Sequence, residues 1–182
     1  IMMGGGDAFS YWDGRGKPSA FNSGLSFTDS WNNNKHRLNL NYKYGRIEND
    51  VQESTLSQNN LPAGQINSDN TSSRLSEASR HRFNAKHDWN IDSLTTLTLN
   101  FSLSQENQDM DAFTGVRTSD GNNRLMNENE RSQNSLSEKN SLTYNGYLTR
   151  RMNKPGRSIS LRLSGDITEN DGNSFLKSRT DI

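Results

Sequence analysis

Three histidines and a short run of acids carry most of the conceivable chemistry in this chain. His81 and His87 fall on one face of an alternating stretch, six positions apart. In extended chain, at about 3.3 Å per residue, that is roughly 20 Å, too far to share a metal ion. His36 abuts a turn. All three read as solvated or interfacial histidines rather than ligands. Glu106, Asp109 and Asp111 open a polar segment. Carboxylates at i and i+2 can ligate a hard cation such as calcium. The spaced ligand series and the glycine of a calcium loop are absent, so a solvated loop is the expectation. Asp120-Gly-Asn-Asn123 has the composition of a turn.

Other chemistries lack their residues. There is no cysteine, which excludes disulfide scaffolds and thiolate metal sites. No nucleophile elbow, P-loop or dinucleotide fingerprint is present. Gly4-Gly-Gly6 has no strand before it and no helix after it, so it does not read as a phosphate cradle. Asn70-Thr-Ser72 and Asn100-Phe-Ser102 fit the glycosylation acceptor pattern and are read as chance matches. No catalytic, cofactor-binding or metal-ligating residue is assigned, and an enzyme is not expected.

The elements that hold these residues are more informative than the residues. From Thr95 to Gln105 apolar and polar side chains alternate: Leu97, Leu99, Phe101 and Leu103 against Thr96, Thr98, Asn100, Ser102 and Ser104. A strand sends successive side chains to opposite faces, so one face is greasy and the other wet. Six such segments are expected at about 20–31, 36–46, 80–89, 95–105, 141–152 and 157–168. On the greasy face lie Phe21, Leu25, Phe27 and Trp31 in the first and Leu38, Leu40, Tyr42 and Tyr44 in the second. None shows the i, i+3, i+4 recurrence of an amphipathic helix.

The connections are lopsided. Asn32–Lys35, Asn90–Ser93 and Asn153–Gly156 are short and supply turn residues. Ile47 to Ser79 and Gln105 to Asn140 are long and polar, and are expected to be loops. Short turns at one end, long loops at the other and one apolar face describe an outer-membrane β-barrel. There the greasy face meets lipid and needs no second layer of protein.

That arrangement accounts for the composition. Only 29% of the 182 residues are hydrophobic, and the mean hydropathy is −1.02. Serine and asparagine together make up roughly a quarter of the chain. Composition alone matches disorder, but a disordered chain has no reason to keep a period. Basic and acidic residues balance at 21 each, without the basic excess that favours nucleic acid. No apolar run approaches the roughly 18 residues of a spanning helix. A soluble sandwich or a surface-displayed, adhesin-like β protein shares the one-faced alternation and stays open as the rival.

Gly24-Leu-Ser-Phe-Thr-Asp-Ser-Trp31, Leu40-Asn-Tyr-Lys-Tyr44, Ile91-Asp-Ser93, Phe101-Ser-Leu-Ser-Gln-Glu-Asn107 and Lys154-Pro-Gly-Arg-Ser-Ile-Ser-Leu161 follow in that order. The ordered set resembles the outer-membrane β-barrel family of Bacteroidetes-type bacteria, in proteins similar to TonB-dependent receptors. Residues 1–19 look like a Gly-rich loop region, and 20–182 like a partial barrel. The resemblance implies a wall segment of a receptor or transporter in the bacterial outer membrane. Its partners would be outer-membrane lipid, an extracellular solute and, through a plug that does not lie in this stretch, TonB-type energising machinery. The chain begins Ile-Met-Met with no visible signal peptide, and six strands are fewer than the eight of the smallest barrels. A piece of a longer protein is therefore expected. The face opposite the greasy one would line the lumen, with Arg37, Lys43, Arg82, Lys86, Arg151 and Arg162 against Asp88 and Asp166. This is a mildly cationic surface, most simply a set of water-facing residues pairing across the wall.

Overall fold

A computed structural model describes residues 14–62 and 64–182. The first thirteen residues, most of the expected Gly-rich loop region, lie outside the described residues. Six strands form one antiparallel sheet in sequence order. They are β1 (Lys17–Trp31), β2 (His36–Leu61), β3 (Gly64–Asn90), β4 (Thr95–Asp120), β5 (Leu125–Arg151) and β6 (Ser158–Asp181). The chain is an all-β meander, as the alternation requires, and no described residue is helical.

The strands run much further than their alternating parts. β2 and β4 have 26 residues and β3 and β5 have 27, about 85–90 Å at 3.3 Å per residue. The polar stretches 47–79 and 105–140, expected as loops, are paired strand for nearly their whole length. Leu61 pairs with Gly64 across the β2–β3 turn. Gly121–Arg124 alone separates β4 from β5. β6 likewise continues to Asp181 instead of ending near 168. The physical reason is that the ladder is made by the backbone, whatever the side chains are. In these stretches apolar residues are few and fall on both faces, Ile47, Val51 and Ala78 on one and Leu75 and Phe113 on the other, so no period of two shows in the sequence.

The turns are built as their residues dictate. Asn32, Asn33 and Asn34 all have positive φ (55°, 54° and 61°), which asparagine tolerates better than other side chains. Lys35 N–H closes that turn by donating to the Asn32 carbonyl at 3.1 Å. At the next turn on the same end, the Asp92 carboxylate accepts from Leu94 N (2.7 Å), Thr95 N (2.8 Å) and Thr95 Oγ1 (3.1 Å). Those bonds, led by the one from Leu94, hold its carboxyl below the usual carboxylate range. At the far end Asp120 Oδ1 accepts from Asn122 N and Arg124 N, both at 2.9 Å, and Asn123 takes φ 64°. The 120–123 stretch is therefore the turn its composition indicates.

Register sorts the side chains. Trp31, His36, Trp89, Leu97, Leu148 and Leu161 form one cross-strand row. The next three rows on that face include Phe27, Leu40, Phe101, Phe83, Leu103 and Ile167. Tyr44, His81 and Gln105 begin the polar continuation. The greasy face is labelled convex and the polar face concave, after the relative shelter of the two along the middle of β4. In β4, Ser102, Ser104 and Glu106 are half-buried while Phe101, Leu103 and Gln105 between them are exposed. In β2, Ile47, Asn49 and Val51 are buried between exposed Arg46, Glu48, Asp50 and Gln52. On β2 the cover comes from the segment before β1, whose Gly16 lies directly against Asn49 and Val51. Gly165 serves the convex side, for a Cβ there would overlap the Tyr144 ring on the neighbouring strand.

Candidate functional site

Two surfaces of the sheet are organised: a band on the convex face and the concave face behind it. The band spans nine residues on β2 (His36–Tyr44) and on β6 (Ile159–Ile167). A tilted strand needs about 9–11 residues to cross a hydrocarbon layer. No described residue covers the band. Leu25 is 77% exposed, Leu163 67% and Ile159 60%. The upper edge steps from Phe21 on β1 down to Ile167 on β6, and the lower edge from Trp31 down to Ile159. A level band on tilted strands must step across the rows in this manner.

Rings mark both edges. At the lower edge Trp31 stacks on His36 (centroids 5.1 Å) and His36 on Trp89 (5.3 Å). His87 lies 5.4 Å from the His36 ring, and His36 Nδ1 is 3.2 Å from His87 Nε2, so one nitrogen donates and the other accepts. At the upper edge Tyr42 Oη meets His81 Nδ1 at 2.8 Å, and the Tyr44 and His81 rings are 4.8 Å apart. Rings with a polar tip suit a boundary between an apolar layer and water.

The histidines thus fall as the sequence indicates in one respect and not in another. His81 and His87 stay apart at opposite edges. His36 and His87 are brought together although 51 positions separate them. The sequence carried a signal for this: Trp31, His36 and Trp89 flank consecutive hairpin ends, and His87 lies two residues inside Trp89 on the same face. Among the described residues no group of three or more His, Cys, Asp or Glu is placed to hold a metal. The acids 106, 109 and 111 are not a cluster, because Glu106 faces inward and the two aspartates outward. Glu106 binds Arg80 (Oε2 to Nη2 2.5 Å and to Nε 3.0 Å), and Asp111 Oδ1 accepts from Asn134 Nδ2 at 2.8 Å.

The concave face within the band is rich in amides and hydroxyls. Thr28 Oγ1 donates to Asn39 (3.0 Å), Ser102 Oγ to Asn84 (2.9 Å) and Thr98 Oγ1 to Asp88 (2.8 Å). The Asn145 oxygen, in the orientation its neighbours require, accepts from Arg162 Nη2 (2.9 Å) and Nε (3.0 Å). Lys86 pairs with Asp88 at 3.1 Å. Asn100, one of the acceptor-pattern asparagines, sits mid-strand on this wall beside Lys86 and Asn145. Higher up, the segment before β1 folds inward. The Arg15 carbonyl accepts from Asn49 Nδ2 at 3.0 Å, and Arg15 pairs with Glu53 at 3.3 Å. Gly16, at φ 77°, permits this approach, since a Cβ would run into the Asp50 carbonyl.

Above the band the convex face changes character. Glu48 and Glu77 stand opposite each other with Arg46 between them (3.7 and 2.7 Å). Asp109, Glu138 and Asp171 continue this acidic face. Side chains of Asn140 (3.0 Å) and Gln105 (3.1 Å) donate to Glu138 and hold its carboxyl below the usual range.

No protein-family profile and no curated protein matches the chain. Among solved structures it is similar to the membrane pore complex of Pneumolysin at 6% identity, with a TM-score of 0.18, over 91% of this chain and 34% of that one. The chain thus spans about a third of that chain's length, and a likeness this low carries no argument.

Proposed function

We propose that the six strands are a wall segment of an outer-membrane β-barrel that binds or passes an extracellular solute. The observation that carries this is the uncovered band on the convex face, edged above and below by rings and backed by a hydrogen-bonded polar face. Lipid satisfies such a band, and a packed protein core would instead leave its wet side outward. Closure would come from further strands on the outer edges of β1 and β6, because a spanning sheet cannot leave backbone groups unpaired in lipid. The three short turns would lie on the periplasmic side, and the β2–β3 and β4–β5 hairpins would project outward as the solute-facing crown. Energised uptake through a plug is the part of this reading that rests on the family resemblance alone.

Spin labels test it in the full-length protein reconstituted in vesicles. Labels at 97, 99, 101 and 103 should collide with lipid-soluble oxygen, and labels at 98, 100 and 102 with a water-soluble quencher. If the odd-numbered labels were shielded from both, the band would be covered by protein, and the soluble or surface-displayed rival would stand.

A further inference from the structure

The chain is neutral, yet its two faces are not. The convex face above the band is acid-rich. The concave face is base-rich, with Lys43, Arg80, Arg82, Lys86, Lys139 and Arg162. Some of these bases are engaged: Arg80 by Glu106, Lys86 by Asp88, Arg162 by Asn145.

Lys43 and Arg82 differ. They are direct cross-strand partners, two like charges face to face on the concave side. Such a pair is destabilising unless something answers it. Among the described residues neither makes a hydrogen bond or ion pair to another side chain. The carboxylate one row up, Glu106, is already held by Arg80. The rest of their row is Gly24 on one flank and Ser104, Ser141 and Thr168 on the other. Gly24 adds no side chain to the row, and the Lys43 stem lies beside it, where a Cβ would be 3.6 Å from Lys43 Cγ; the hydroxyls add donors. Ser141 and Thr168 sit within 3.4 Å of each other.

We propose that this row is an oxyanion-binding site on the inner wall, for a solute that carries a phosphate, sulfate or carboxylate group. The Arg82 fork can take two oxygens of such a group, Lys43 adds a compact charge, and the Ser104 hydroxyl completes the contact. The proposal rests on the concave face being the lumen. It adds a chemical class of solute to that reading.

The test is a calorimetric titration of the full-length protein in detergent micelles at low salt, with inorganic phosphate as the probe. Native protein should bind, and Lys43→Gln/Arg82→Gln should bind about tenfold more weakly or worse, as loss of a charge-assisted contact implies. The outward pair Arg117→Gln/Lys177→Gln makes the same charge change and should leave binding unaltered. The inner double variant relieves a repulsion, so it should melt at or above the native temperature, which separates lost binding from lost folding. Absence of phosphate binding in the native protein, or equal losses in both pairs, overturns the site. Shielding of labels at 97–103 from both reagents overturns the barrel reading instead, so the two ideas fail in different measurements.

Discussion

Up to the row of Tyr44 and His81, the sheet has a greasy convex face and a wet concave one. Beyond that row the same strands lose the alternation: Ile47, Val51 and Ala78 are sheltered on one face, and Leu75, Phe113 and Phe175 stand beside Asp50 and Asp111 on the other. β4 passes from Leu97-Thr-Leu-Asn-Phe-Ser-Leu103 into Gln105-Glu-Asn-Gln-Asp109 without a break in pairing. The backbone therefore makes the sheet, and the side chains only report what lies against it. On the proposed reading, lipid lies against the lower half and water around the upper half.

Breaking the greasy side should have the largest effect. Leu99→Arg places a charge mid-band and should cost roughly 2–4 kcal/mol in reversible unfolding from lipid vesicles. Asn107→Arg, on the same face above the band, should stay within about 0.5 kcal/mol. Equal costs would erase the distinction between the halves.

The turns sharpen the comparison at the two ends. Asn33→Val forces a β-branched residue into the left-handed region and should cost about 1–2 kcal/mol by denaturant titration. Asn123→Val at the opposite turn should cost a similar amount, because backbone strain does not depend on what surrounds the sheet. A large gap between the two would mean that one end is less well ordered than the other.

Next come the ion pairs. Arg80 and Glu106 are half-buried on the concave side, with side-chain exposures of 26% and 21%. A double-mutant cycle to alanine should give a coupling of about 1 kcal/mol. Arg46 with Glu77, on the open convex face, should couple less and fade in added salt.

The smallest effect is a pH dependence at the lower turns. Asp92 has a folded-state pKa depressed by the bonds it accepts. Its contribution is therefore present above the unfolded carboxylate pKa and is lost as pH falls through the lower folded value. Asp92→Asn should flatten the acid limb of the stability profile measured by thermal melting. An unchanged limb would remove Asp92 from the account.

This contrast also sets how much could be read in advance. Strand order, antiparallel pairing and the three short turns were legible, because the band imposes a period of two on segments such as 95–103 and 159–167. The upper hairpins were not, because Ser, Asn, Gln and Glu on both faces look like loop whether paired or not. Neighbours across the register were largely hidden. The face-to-face placement of Lys43 and Arg82 has no signature in linear spacing, and the His36–His87 contact shows only once the hairpin ends at Trp31, His36 and Trp89 are paired.

One property of the topology bears on how such a wall is made. Among the described residues each strand bonds only to those directly before and after it in the chain. The sheet can therefore be laid down serially, each hairpin closing from its own turn and zipping against the edge finished just before it, with no search for distant partners. The outer edge of β6 carries 24 residues of backbone, Ser158 to Asp181, and on the barrel reading that edge is the template along which a neighbouring strand would find its register.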